Sequence, residues 1–151
     1  ILYLKKGDCI SLGKNLNMEV LWPEEPYITN SASDVNNNAM VCMLSYKDFD
    51  TLYTGDIQQE AEERLLTKNI QCDVLKVAHH GSPYSSTTEF LAQARPMLSV
   101  ISVGEGNNYG HPAPAVLQRL NESGSQVLRT DASGAVRLTT DGRKIKVNTV
   151  R

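Results

Sequence analysis

The sequence lacks any long hydrophobic run: in 151 residues no uninterrupted apolar stretch approaches the ~20 that a membrane-spanning helix needs. A transmembrane helix is thereby excluded from this stretch, though not from a longer parent. An excess of charge is missing too. Fifteen Lys and Arg stand against seventeen Asp and Glu, a formal net charge of −2, so no global basic field draws the domain onto nucleic acid and any DNA contact has to be local. The three cysteines, Cys9, Cys42 and Cys72, form no C-x-x-C pair. They are not placed for zinc or dithiol chemistry and are expected to be small buried apolar residues. No internal repeat occurs, and no low-complexity tract beyond Asn36-Asn37-Asn38. The chain opens Ile1-Leu2-Tyr3-Leu4-Lys5-Lys6-Gly7-Asp8, without an initiator Met or a secretion signal, as a piece of a longer protein would.

What is present is the composition of one folded domain: 40% apolar and 21% charged residues, with 10 Gly and 6 Pro. Residues 1–12 hold an apolar run turned at Gly7-Asp8, and residues 18–22 alternate as a strand stopped by Pro23. Glu24 to Asn38 has the chemistry of a surface loop, long enough to point to function or mobility. Met40–Tyr46 and Phe49–Thr54 read as a β-hairpin around Lys47-Asp48. A helix is expected over Ile57–Leu66 with Asp56 in the N-cap position. Further on, strands are expected over Asp73–Ala78, Met97–Val103 and Val127–Thr130, alternating with helices over Thr87–Ala94 and Ala115–Asn121. A terminal hairpin follows, Ala135–Thr140 and Lys144–Val147, around Asp141-Gly142. That order specifies an α/β layered domain.

The chemistry gathers where strands end. His79 and His80 precede Gly81, His111 lies between Gly110 and Pro112, and Asp56 closes a strand at Thr54-Gly55-Asp56. Core histidines sit inside elements among apolar neighbours, whereas these sit in Gly-bearing loops. One carboxylate and two or three imidazoles are the ligand types of Zn²⁺ or Mn²⁺ hydrolytic sites. They are too few for two ions, since each ion needs roughly two or three protein ligands. In extended chain, adjacent His79 and His80 point to opposite faces and cannot easily serve one ion, and alternation from Asp73 puts His79 on the side of Leu75 and Val77.

Thr54-Gly55-Asp56 before a Glu-rich helix, Asp73-Val74-Leu75-Lys76-Val77-Ala78-His79-His80-Gly81-Ser82, Asn108-Tyr109-Gly110-His111-Pro112 and Arg129-Thr130-Asp131 together resemble the C-terminal part of the metallo-β-lactamase-like domain of the ComEC/Rec2 competence proteins. The resemblance implies the second half of a four-layer αββα sandwich. The family's T-H-x-H-x-D-H motif belongs upstream and is absent here, and the family usually has Ser where this chain has Ala39. By the resemblance, Asp56 is a bridging carboxylate and one of His79 or His80 a ligand to the second ion, with the alternation favouring His79. His111 and Tyr109 take catalytic positions, and Ser82 and Asn108 line the substrate side.

It implies, further, a metal-dependent nuclease domain outside the cytoplasm on a membrane protein that takes up DNA in natural transformation. Other phosphoester hydrolases of the fold, or a non-catalytic scaffold, are the alternatives. By ligand count the 151-residue piece alone is expected to bind a divalent ion weakly and to lack robust nuclease activity. Its partners would be DNA and the missing N-terminal half of the domain. Without that half the piece is expected to self-associate, or else to form a sheet closer to self-sufficient than the family analogy implies.

Overall fold

The computed structural model describes residues 3–150; Ile1 and Leu2, at the start of the first apolar run, lie outside the described residues, as does Arg151. Seven strands form one sheet in the order β1 to β7: β1 (Cys9–Gly13), β2 (Leu16–Trp22), β3 (Val41–Tyr46), β4 (Phe49–Tyr53), β5 (Val74–Lys76), β6 (Leu98–Ile101) and β7 (Gln126–Arg129). The first four run antiparallel, and β4 to β7 run parallel. Parallel neighbours need crossovers, and three helices supply them: α2 (Gln59–Leu65), α3 (Thr88–Ala94) and α4 (Pro114–Glu122). A short α1 (Asp34–Asn37) lies within the long loop, and α5 (Thr130–Ser133) leads from β7 into the hairpin β8 (Ala135–Thr140) and β9 (Ile145–Val150).

Alternation along the strands sorts the side chains onto two faces. Val41, Met43, Leu52, Leu75 and Ile101 join Ala61, Leu65, Phe90, Leu91, Val116 and Leu120 of the helices in one buried core. Phe49, Val74 and Leu98 point the other way, where Leu138 and Ile145 of the hairpin cover them. The hairpin is tied to the β3–β4 turn: the Asp48 N–H donates to the Gly142 carbonyl (3.2 Å) and Lys47 Nζ to the Asp141 carbonyl (2.8 Å). The cover is partial, since Leu16, Leu44, Tyr46 and Tyr53 line a crevice beside Leu138, and Tyr53 remains 45% exposed.

Three expectations need correction. The loop of residues 24–38 contains α1, because the Asp34 carboxylate accepts from the backbone N–H groups of Asn30 and Ser31 and folds the chain into a turn. Helix α2 begins later than expected, with Gln58 rather than Asp56 as its N-cap residue, which leaves the Asp56 carboxylate uncommitted to capping. Cys42 and Cys72 are buried, the Cys72 thiol being pushed up to about 12 chiefly by that burial, but Cys9 is exposed on β1.

Candidate metal-binding and hydrolytic site

The parallel strands all end at one edge of the sheet, where α/β folds collect ligands. Thr54-Gly55-Asp56 leaves β4, Ala78-His79-His80-Gly81 leaves β5, Ser102-Val103 leaves β6 and Thr130 follows β7. Hydrogen bonds lock these ends side by side. Thr54 Oγ1 donates to the Lys76 carbonyl (2.7 Å), the His79 N–H to the Gly55 carbonyl (3.1 Å), and Thr130 Oγ1 to the Val103 carbonyl (2.7 Å) while accepting from the Val103 N–H (2.8 Å).

His79 and His80 are not in extended chain. Both are left-handed, with φ/ψ of 46°/43° and 55°/22°, and Gly81 follows at φ 80°. Three successive left-handed residues make a tight turn closed by the Ser82 N–H to the His79 carbonyl (2.9 Å). The expected projection to opposite faces therefore fails: the two rings lie 6.4 Å apart, and His79 stands 5.7 Å from His111. For a residue with a Cβ this conformation costs roughly 1–2 kcal/mol. His80→Gly is accordingly expected to be more stable than His80→Ala by about 1 kcal/mol in urea unfolding; equal midpoints would mean that the turn is not left-handed in solution.

The two rings are held differently. His80 Nδ1 stands 2.6 Å from the Ser102 carbonyl, which can only accept, so Nδ1 carries the hydrogen and Nε2 keeps a lone pair. That Nε2 lies 3.8 Å from Asp56 Oδ1, with both side chains nearly half exposed. His79 Nδ1 instead meets Gln58 Nε2 at 3.3 Å. Tyr109, 83% exposed, stacks on His111 with ring centroids 6.0 Å apart. Desolvation and the neighbouring His79 and His80 lower the His111 pKa from the ordinary 6.5, favouring the neutral ring, and its Nδ1 is buried without a hydrogen-bond partner among the described residues.

Asp56, His79, His80, His111 and Tyr109 thus share one cluster, with Ser82 and Asn108 next to it in the chain. Ser82 is buried, 2% exposed, with little surface to offer a substrate; Asn108 is exposed at the loop tip. The residue that shapes this loop is the neighbouring Asn107. Its Oδ1 accepts from the Tyr109 and His111 N–H groups (3.2 and 3.1 Å), and its Nδ2 donates to the Gly104 and His111 carbonyls (3.1 and 2.6 Å). The segment that follows the histidine turn is held by side chains as well. Buried Glu62 accepts from the N–H groups of Ser86 (2.5 Å) and Thr87 (2.8 Å), and Arg119 donates to the carbonyls of Pro83, Ser85 and Ser86. For these supports the sequence carried no signal beyond a Glu-rich helix.

The donor set fits part of a metal site. Asp56 oxygen and His80 Nε2 are suitable donors at adjacent strand ends, yet among the described residues no group of three or more His, Cys, Asp or Glu side chains is placed to hold an ion. No helix of the described residues is long and apolar enough to cross a membrane.

Comparison with known proteins places this architecture. No protein-family model matches the chain. In solved structures it resembles a protein assigned as a metal-dependent hydrolase from Parabacteroides distasonis, with a TM-score of 0.54 at 17% identity, covering 85% of this chain and 56% of that one. The likeness is one of fold: the α/β arrangement described above, accounting for about half of the larger structure. In sequence the chain is 38% identical over 135 residues to ComE operon protein 3 of Bacillus subtilis (88% of this chain, 17% of that protein). It is 33% identical over 141 residues to competence protein ComA of Neisseria gonorrhoeae (90% and 20%), and 31% identical over 116 residues to recombination protein 2 of Haemophilus influenzae (77% and 15%). The chain spans about a fifth or less of the length of these relatives. With three competence and recombination proteins matching across most of it, the site-bearing loops included, the chain belongs to the ComEC/Rec2 family of competence proteins.

Proposed function

We propose that the chain is one half of a metal-dependent phosphodiesterase domain in a ComEC/Rec2-like membrane protein, acting outside the cytoplasm on DNA during its uptake in transformation. The observation that carries this reading is the pairing of His80 with Asp56: the Ser102 carbonyl holds the imidazole so that its free Nε2 faces the carboxylate at the strand-end edge. A backbone carbonyl on the far nitrogen is the usual partner of a metal-ligating histidine.

Asp56 and His80 would hold a divalent ion, Zn²⁺ or Mn²⁺, with the remaining ligands coming from the N-terminal half of the domain. Such an ion supplies Lewis-acid polarisation of a phosphodiester and an activated water. His111, favoured as the neutral ring and roofed by Tyr109, borders the same space and would donate its ring N–H as a hydrogen bond to a phosphate oxygen. The partly covered sheet face beside Tyr53 is where the other half of the domain, or a second copy of this chain, would pack.

Titration calorimetry with Zn²⁺ and with Mn²⁺ tests the reading. The 151-residue chain is expected to bind weakly and to leave DNA uncut, and Asp56→Asn and His80→Gln are each expected to weaken binding at least about tenfold. Binding indifferent to both substitutions would place the ion elsewhere and defeat the assignment.

A further inference from the structure

Adjacent histidines in the left-handed turn have opposite hydrogen-bonding partners, and the difference assigns them different work. His80 faces a carbonyl oxygen, a pure acceptor, through Nδ1 at 2.6 Å. His79 faces the amide nitrogen of Gln58, a pure donor, through Nδ1 at 3.3 Å. In the neutral ring a nitrogen that accepts carries no hydrogen, so the hydrogen of His79 sits on Nε2.

Gln58 is well fixed for this task. It is 7% exposed, and its backbone N–H donates to Asn37 Oδ1 (3.0 Å). Asn37 is fully buried, its carbonyl accepting from Trp22 Nε1 (2.7 Å) and its Nδ2 donating to Glu60 Oε2 (3.0 Å). The His79 backbone is pinned in turn by its N–H to the Gly55 carbonyl. Both ends of the Gln58–His79 contact are therefore anchored to the core rather than to mobile surface.

We propose that Gln58 is a positioning residue that holds His79 as its Nε2–H tautomer, which makes His79 a hydrogen-bond donor to an anionic oxygen of the substrate, a phosphate oxygen, and not a metal ligand. The substrate class rests on the phosphodiesterase reading above; the tautomer does not. His80, with a free Nε2, is then the imidazole of the pair that ligates.

Long-range ¹H–¹⁵N correlation spectra of the 151-residue chain at about pH 8, above the ordinary imidazole pKa of ~6.5, read both tautomers directly. Wild type is expected to show His79 protonated on Nε2 and His80 on Nδ1. In Gln58→Glu the carboxylate can only accept, so His79 is expected to move its hydrogen to Nδ1 while His80 and the backbone amide shifts of the core stay as they were; a residue that merely packs would not move the tautomer. In ion titrations His79→Gln is expected to change affinity less than about threefold where His80→Gln costs at least about tenfold.

His79 protonated on Nδ1 in wild type, which is what a reversed Gln58 amide would produce, overturns the proposal. So does an unchanged tautomer in Gln58→Glu, or an equal loss of ion affinity from the two histidine variants. A chain that shows the expected tautomers but binds no ion keeps the role of Gln58 and counts against the hydrolase reading instead.

Discussion

Gly81→Ala is expected to destabilise the chain by roughly 3 kcal/mol and to displace the two histidine loops from each other. The added Cβ would stand 2.6 Å from Pro112 Cβ and 3.1 Å from Pro112 Cα, on a residue whose φ is +80°. A left-handed conformation costs a residue with a Cβ roughly 1–2 kcal/mol, and forcing a methyl into filled space adds about 1–3 kcal/mol. Pro112 cannot swing aside as a flexible side chain would, because it is a ring in the backbone, and the next N–H, of Ala113, donates to the Gly81 carbonyl at 2.9 Å. The turn carrying His79 and His80 and the loop carrying His111 touch here, so strain at Gly81 should also change the ring environment of His111. Urea midpoints and the His111 ring resonances would show both effects. Gly104→Ala is the control: nothing lies within 4 Å of the Cβ it would gain, and its φ is not positive. If the two variants unfold at the same midpoint, the close approach at Gly81 is not present in solution.

Glu62→Ala is expected to cost about 3 kcal/mol for a different reason. Its carboxylate is fully buried and receives two backbone N–H groups, those of Ser86 and Thr87. Removing it leaves these donors without an acceptor, at about 1–3 kcal/mol for each buried group. The loss falls on the loop that follows the histidines, whose carbonyls Arg119 also holds. Glu62→Gln keeps one acceptor oxygen and should cost less, about 1 kcal/mol. Burial pushes the Glu62 carboxyl above its ordinary 4.5, against the pull of the two N–H groups and Arg119. A carboxyl raised in the folded state gives its full stabilisation below the unfolded value and loses it as pH rises through the folded one. The deficit of Glu62→Gln should therefore shrink as pH rises above 4.5. Chemical denaturation across that range is the measurement, and a deficit that grows with pH would reverse the assigned direction.

Much of the fold was legible because side-chain periodicity reports directly on which face is buried. The apolar, β-branched and aromatic residues of β3 and β4, the apolar stripe of α2 and the Pro114 start of α4 all stand where their local chemistry puts them. The strand-end position of Asp56, His79 and His80 was legible on the same basis, since a Gly-bearing loop after a parallel strand has one edge to go to. Local pattern failed at the histidine pair. The period of two that orients a strand does not continue into a turn, and nothing in Ala78-His79-His80-Gly81 announces that His79 and His80 share the positive φ of the glycine.

By itself the sequence determined the α/β order and the family, because each depends on residue types and their spacing along the chain. Only the tertiary structure decided which atom faces the Nδ1 of His79 and of His80. That choice rests on the Ser102 carbonyl and the Gln58 amide, 22 and 21 residues away in sequence and brought within hydrogen-bonding distance by the packing of β5 beside β6 and beside the α2 crossover. A tautomer is set by the single atom facing a ring nitrogen, and no periodicity encodes which atom that will be.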